Sequence, residues 1–365
     1  MLRVAVVGCG KIADAHIEEI QKIGTARVVA VCDLEPLMAE QIAVRYGISK
    51  QYADFDLMVN EERLDVVHIT TPPQSHLSLT RRAVAGGCHV YVEKPLAPNY
   101  AEAKELIEAV TRGERKMTVN YWPNFDPPGT QLRALLDSDA LGEVVHIESH
   151  LGYNLAGAFG QALMADPEHW VHNLPGKLFQ NNLDHLVNKI VPLLPDADTQ
   201  VHAVALRRGG QLRNDRTDDV LDELRAIVRA ANVTAYITFS SHARPAGHLL
   251  RIYGTKNTVT ADFNARTVVL ERDQTVPSAL GRLLPPFGRS WSYLRQAFHN
   301  AAEFARSRAH YFAGMNRLIS LFYESIVEDG PPPIPYADIL RTTAIMEQIT
   351  TQVYPQPIRS AKCES

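Results

Sequence analysis

Short apolar runs alternate with amphipathic stretches through the first third of the chain. Leu2-Arg3-Val4-Ala5-Val6-Val7 is brief, apolar and β-branched, as a buried strand is. A helix is expected over 14–20, a strand over 26–32, and a helix over 35–46 with Leu37, Ala39, Ile42, Ala43 and Tyr46 on its inner face. A short helix at 54–59, a strand at 66–70, a helix at 77–85, a strand at 88–92, a helix at 100–111 and a strand at 116–121 continue the alternation. Such a series predicts a parallel sheet covered by helices.

Beyond Asp126 the pattern changes. A helix at 131–136 closed by Gly142 leads to an alternating strand at 144–151, then to a Gly/Ala-rich stretch at 152–166 that reads as irregular. Strands are expected at 201–207, 224–229, 234–240, 249–253, 258–263 and 267–271, which suits a mostly antiparallel sheet with helices on one face. Helices at 314–328 and 336–352 flank the stiff Pro331-Pro332-Pro333-Ile334-Pro335, and the tail after Pro355 is expected to fray. The expected fold is α/β followed by α+β: a first domain over 1–121 and a second domain over 122–365, with the helices of 314–352 packing back on the first.

Composition narrows the function. A chain of 365 residues with 21% charged residues and a net charge of −4 gives no reason to expect nucleic acid as a partner. Cys9, Cys32, Cys88 and Cys363 form no CxxC, and three lie at or beside apparent core strands, as free thiols in a reducing compartment do. No signal peptide is expected ahead of a strand that starts at Leu2, and no apolar run approaches the roughly 20 residues of a membrane helix. The expected location is the cytoplasm. In 277–312, Leu280, Leu283, Leu284, Phe287, Trp291, Leu294, Phe298 and Phe304 interleave with Arg282, Arg289, Arg295, Arg306 and Arg308. Such a segment could lie on a membrane or grip an anionic substrate. The preferred reading is an insertion packed on the subunit or its neighbour, with the arginines in water.

The chemistry starts at residues 2–33. A strand runs into Gly8-Cys9-Gly10-Lys11-Ile12-Ala13, a helix follows, and the second strand ends on Asp33. This is the order and spacing of a dinucleotide fingerprint. Gly8 permits the turn, Gly10 lets a pyrophosphate approach the backbone, and the helix N-terminus faces the phosphates. Asp33 can accept hydrogen bonds from a ribose diol and repels a 2′-phosphate. With Leu34-Glu35-Pro36 supplying no arginine, NAD is favoured over NADP. Thr71, Pro72 and His76 follow the third apolar strand, where open α/β sheets bind ligands. His68, inside that strand, reads as a satisfied core histidine. Glu93-Lys94-Pro95 stands at the end of the strand after it, so Lys94 points into the crevice, and a cis Lys94–Pro95 bond is expected.

Together Gly8-x-Gly10-x-x-Ala13, Asp33, Thr71-Pro72 with His76, and Glu93-Lys94-Pro95 resemble the glucose-fructose oxidoreductase / inositol dehydrogenase / MocA-like family, from residue 1 to about 262. The resemblance implies a Rossmann domain, an α+β domain with a large open-faced sheet, a homodimer or homotetramer, and NAD(P)-dependent oxidation of sugars, cyclitols and their derivatives. The cofactor set is then Gly8, Gly10, Lys11, Ile12, Asp33, Thr71, Pro72, His76, Glu93, Lys94 and Asn120. In that family a Gly-rich turn leads into a helix bearing Asp and, four residues on, His. This chain keeps His185 and has Asn181 at the Asp position, with Asn188 extending the same face. Asp184 lies about 100° round the helix and is not expected to replace the carboxylate.

The expected roles are His185 as general base, Lys94 as donor to the developing alkoxide and Asn181 as a positioning group. Trp122, Tyr153, Asn154, Trp170 and Asn182 complete a polar and aromatic substrate set suited to a polyol. His169, His172 and His185 gain no cysteine or carboxylate cluster, so no metal is expected, and His146 and His150 should share a sheet face. Two alternatives stand: an enzyme that uses held NAD for a non-redox glycoside cleavage or epimerisation, and a cofactor-binding protein without turnover.

Overall fold

The computed structural model describes residues 1–208, 220–273, 278–306 and 310–355. Strands β1 (Leu2–Val7), β2 (Ala26–Cys32), β3 (Lys50–Tyr52), β4 (Val66–Ile69), β5 (His89–Val92) and β6 (Met117–Val119) form a parallel sheet in the order β3-β2-β1-β4-β5-β6. Helices α1 (Lys11–Gln21), α2 (Pro36–Tyr46), α3 (Phe55–Glu62), α4 (His76–Ala85) and α5 (Tyr100–Arg112) connect these strands. The order reverses between β1 and β4, which opens a crevice at the carboxyl ends of the strands. Register decides what lines it. Val7 pairs with Cys32 and Ile69, Ile69 with Val92, and Val92 with Val119. Gly8, Asp33, Thr70, Glu93 and Asn120 therefore leave the sheet side by side.

The second half comprises α6 (Pro127–Asp137), β7 (Val144–Gly152), α7 (Ala158–Ala165), α8 (Lys177–Ile190), β8 (Thr199–Leu206), β9 (Glu223–Ala230), β10 (Val233–Ser240), β11 (His248–Gly254), β12 (Asn257–Asp262) and β13 (Thr267–Arg272). Its sheet runs β13-β12-β11-β7-β10-β9-β8, antiparallel except for β7 against β10. Ile147, Ser149 and Leu151 of β7 are buried on the side of α8, where Ser149 Oγ donates to the Leu186 carbonyl (3.1 Å). His146 and His150 face the opposite side together, and the His146 ring meets Tyr236 and Tyr253.

Three long helices end the fold: α9 (Ser278–Ala305), α10 (Ala313–Val327) and α11 (Tyr336–Val353). α10 returns to the first sheet, and Met315, Leu318, Phe322 and Tyr323 belong to its core. α11 spans both cores, with Ile339 in the first and Ile345, Met346 and Ile349 in the second. Gly176 lets α11 come close to the start of α8, since a Cβ there would stand 2.2 Å from Thr350 Cγ2. Both edges of the second sheet are closed by a glutamine. Gln352 of α11 accepts from Ala203 N and donates to Val201 O (2.9 Å each) on β8. Gln296 of α9 accepts from Val268 N (3.0 Å) and donates to Val268 O on β13. An edge strand so capped cannot recruit another strand there.

Several expectations need correction. Leu37 is exposed: it lies two residues from Ala39, hence across the helix from the buried Ala39, Ile42 and Ala43. The stretch 152–166 is not wholly irregular. Its alanines support α7, which buries Leu163 and Met164. The described apolar side chains of the stretch from Leu283 to Phe304 do not pack on their own subunit. Phe287, Trp291, Leu294, Phe298 and Phe304 are all exposed, because α9 touches the sheet through polar groups. Pro277, Arg308 and the tail after Pro355 lie outside the described residues, as do the side chains of Leu280 and Arg282.

Candidate active site

A cleft of about 1350 Å³ runs from the glycine turn to α8, between the two sheets. Its wall includes Gly8, Gly10, Lys11, Ile12, Asp33, Thr71, Pro72, Glu93 and Lys94 from the first domain. Tyr153, Trp170, Asn181, Asn182 and His185 border it from the second.

The cofactor end is built by backbone. Gly8 sits at φ +93°, and a Cβ there would approach Thr71 Cγ2 at 2.7 Å and the Thr70 carbonyl carbon at 2.9 Å. A Cβ on Gly10 would meet nothing within 4 Å, so that side is open for a ligand. Gly10 caps α1 without a side chain, which leaves the first N–H groups of the helix open to phosphate. Asp33 braces the turn as well as bordering the cleft: Oδ2 accepts from Cys9 N (2.6 Å) and Oδ1 from Glu35 N (2.9 Å). A carboxylate oxygen has a second lone pair, so both remain able to accept from a diol. This cradle fits a dinucleotide.

Two expected cofactor residues act one layer deeper. Asn120 is buried, takes a hydrogen bond from Tyr91 OH (2.7 Å) and donates to Glu93 Oε1. His76 is buried between the carbonyls of Leu96 and Thr71 (2.9 Å each), which ties the Thr71 loop to the segment after Pro95. Two expected substrate residues also miss the wall. Asn154 turns back to accept from Ala156 N (3.1 Å), and Trp122 packs on Tyr311 and Phe312. Phe312 borders the cleft instead.

Glu93 anchors a chain that the sequence reading missed. His16 Nε2 meets Glu93 Oε1, His16 Nδ1 meets His68 Nδ1, and His68 Nε2 meets Tyr323 OH, each at 2.8 Å. One proton assignment satisfies all three: Tyr323 donates to His68, His68 to His16, and His16 to the carboxylate. Burial alone would raise the Glu93 carboxyl, yet the His16 bond, Lys94 and Asn120 hold it below its ordinary value. Burial, with His16 beside it, keeps His68 well below its usual range. His68 is thus the satisfied core histidine expected, stacked on Tyr91 at 4.5 Å. His16 lies at an inner-face position of an amphipathic helix, and that misplaced polarity was its signal.

At the other end Lys94 follows Glu93, whose Oε2 accepts from its backbone N–H (3.0 Å), and the Lys94–Pro95 bond is cis. Lys94 Nζ donates to the Asn181 carbonyl (3.0 Å) and reaches its Oδ1 (3.5 Å). Asn181 and His185 share one face of α8, as spacing by four requires. Burial holds His185 well below its usual value, and the Lys94 and Lys189 charges and His248 add to that, so its imidazole is neutral at neutral pH. Asp184 lies off this face, buried, with Oδ1 on His185 N (2.7 Å) and Oδ2 unpaired. Burial lifts its carboxyl to about 6 against the pull of Lys94. Asn188 keeps to the expected face but is buried, and its side-chain amide is unpaired. Lys189, one turn past His185, donates to the His185 carbonyl and meets His248 Nε2 at 2.6 Å, and burial brings it down to about 7. Its spacing from His185 was visible in the sequence. Nothing local signalled His248 or Phe312.

His169 and His172 find backbone partners: His172 Nε2 meets Leu163 O (2.9 Å), and His169 Nδ1 accepts from Val171 N (3.3 Å). Among the described residues no three His, Cys, Asp or Glu side chains gather as metal ligands.

Residues 2–121 match the family described as "Oxidoreductase family, NAD-binding Rossmann fold", and residues 130–260 match the "GFO/IDH/MocA C-terminal domain". The chain is 26% identical over 272 residues to an inositol 2-dehydrogenase of Rhizobium meliloti, covering 74% of this chain and 78% of that protein. It is 31% identical over 144 residues to a D-glucoside 3-dehydrogenase of Escherichia coli, covering 39% of this chain and 41% of that one. Oxidoreductase P35 of Formosa agariphila is likewise spanned over only 45% of its length, at 32% identity over 39% of this chain. A solved oxidoreductase from Agrobacterium radiobacter, in complex with NAD+, L-tartaric acid and magnesium, shares the fold with a TM-score of 0.74. It is 18% identical, with 95% of each chain covered.

Proposed function

The chain belongs to the GFO/IDH/MocA oxidoreductase family, and from that footing we propose that it is an NAD-dependent dehydrogenase acting on a secondary hydroxyl of a sugar, cyclitol or sugar derivative. The observation that carries the proposal is Lys94 and His185 on the wall of the cleft that begins at Gly8, Gly10 and Asp33. NAD bound in that cleft supplies the acceptor for the hydride leaving the carbinol carbon. His185, neutral, takes the hydroxyl proton. Lys94, held by the Asn181 carbonyl, presents its remaining N–H bonds to the oxygen as charge grows there. Asn181, Asn182, Tyr153 and Trp170 offer amide, phenol and aromatic surface to a polyol.

NAD is preferred over NADP in this reading. The Asp33 carboxylate borders the cleft and would repel a 2′-phosphate, and Arg82, which also borders it, has its Nε on Asp56 (2.7 Å). A homo-oligomer paired through the open sheet face is supported by the exposed Val204, Leu206, Ile227 and Tyr236. A reducing cytoplasm suits the buried free thiols Cys9, Cys32 and Cys88.

The test is NADH absorbance across a panel of sugars, cyclitols, glycosides and nucleotide sugars. Turnover that His185→Ala reduces by at least about a hundredfold, with NAD affinity kept, is the expected result. Silence from protein that retains NAD would favour non-redox chemistry with transient oxidation. Full turnover by His185→Ala would remove the base assignment.

A further inference from the structure

The geometry points to Lys189 as a positioning residue of the active site: it takes the one positive charge that the buried basic cluster behind His185 can hold, and so leaves His185 free to accept a proton from substrate. The inference rests on the reading of His185 as the base proposed above.

Lys189 is 5% exposed and does not border the cleft, so it can act on the reaction only through a neighbour. That neighbour is His185, one turn before it on α8. Lys189 Nζ donates to the His185 carbonyl, meets His248 Nε2 at 2.6 Å and stands 5.0 Å from the centre of the Phe263 ring. An ammonium has three N–H bonds, and a carbonyl, an imidazole nitrogen and an aromatic face receive them. None of these partners is an acid. A cation buried in this way is costly to keep, and groups so placed cluster at functional sites.

The cluster holds three basic side chains. The His185 and His248 ring centres are 6.3 Å apart, and Lys189 joins both residues. Like charges this close, out of water, do not all form at once. Of the three, Lys189 has the surroundings of a cation. With the proton on Lys189, His248 Nε2 is the acceptor, so that ring is neutral and carries its hydrogen on Nδ1. Other charges bear on the cluster. Lys94, from the end of β5, also opposes a charge on His185, and His150, on the far side of the sheet, opposes one on His248. Asp184 of α8 favours the charge on Lys189. Burial brings Lys189 down to about 7 and holds both histidines well below their usual range, so on acidification the lysine is protonated first. Its charge then stands against protonation of His185, which keeps the base available in mild acid.

The experiment is an NMR titration of the full chain labelled with carbon-13 at histidine Cε1 and lysine Cε, in wild type, Lys189→Met and Lys189→Gln. The His185 signal is the one missing from His185→Ala. In wild type Lys189 should gain its proton at higher pH than His185. Both Lys189 variants should move the His185 midpoint to higher pH, because a repelling charge is gone. Gln keeps a donor for the His185 carbonyl without the charge, so a merely structural lysine would leave the midpoint in place. An unmoved midpoint in a folded variant, or His185 protonated before Lys189 in wild type, would overturn the inference. Where a substrate turns over, the acid limb of kcat/KM should move up with the midpoint, with KM little changed because Lys189 does not border the cleft. A moved midpoint in a protein that oxidises none of the panel would place the failure with the dehydrogenase reading, not with Lys189.

Discussion

The Lys94 ammonium donates to the main-chain carbonyl of Asn181 at 3.0 Å, and the side-chain oxygen of the same residue stands 3.5 Å away. One residue of α8 therefore aims the lysine of the other domain, through a group that no side-chain substitution removes. The resemblance implies a carboxylate at this position, and the geometry shows what the amide changes. Asn181 offers oxygen without charge, so it does not offset the Lys94 charge that adds to burial in holding His185 low.

Asn181→Asp should add a negative charge beside Lys94 and one turn before His185. The histidine pKa then rises, because opposite charge stabilises imidazolium. The acid limb of kcat/KM against pH should move to higher pH. A profile superimposable on wild type would show that the charge does not reach His185.

Gly8→Ala and Gly10→Ala should separate stability from binding. The first forces a side chain into positive φ and against Thr70 and Thr71, so it should cost about 1–2 kcal/mol or more in denaturant unfolding. The second meets open space and should change stability by less than about 0.5 kcal/mol. It should still weaken NAD in a fluorescence titration, because its methyl enters the side left for the pyrophosphate. Unchanged NAD affinity in Gly10→Ala would argue against that placement.

Tyr323→Phe removes the donor that satisfies His68 Nε2 and strands a buried acceptor. A loss of about 1–3 kcal/mol is expected. The loss should shrink in a His68→Leu background, because the stranded group is then gone. Chemical denaturation of the two singles and the double completes the cycle.

Acid should destabilise the fold. His68, His76, His185 and His248 are held below their usual value, chiefly by burial. Below about pH 6.5 the unfolded chain takes up protons there and the folded chain does not, so stability falls as pH falls. Asp126 and Asp184 oppose this: raised by burial from 3.8 to about 6, they hold protons in the folded state that the unfolded chain releases. Four histidines outweigh two carboxyls, and Tm by calorimetry should drop between pH 6.5 and 5. A flat or rising Tm would mean that some of these histidines are charged in the fold.

Local chemistry set much of this protein in advance. Strand β1, Gly8, Gly10 and the acid ending β2 are tied by short-range rules of turn, helix end and spacing, so the cofactor cradle was legible residue by residue. Lys94, Asn181 and His185 were legible as pieces, because a strand end and an i,i+4 step fix where each side chain points. Partnerships across large separations belong to the tertiary structure alone. Tyr323 reaches His68 across 255 positions, and Phe312 replaces Trp122 at the cleft because packing, which leaves no periodic trace, chose it. The stripe of α9 makes the same point in reverse. Its apolar spacing was plain in the sequence, but only the polar docking of Gln296 on β13 decided that the stripe faces outward.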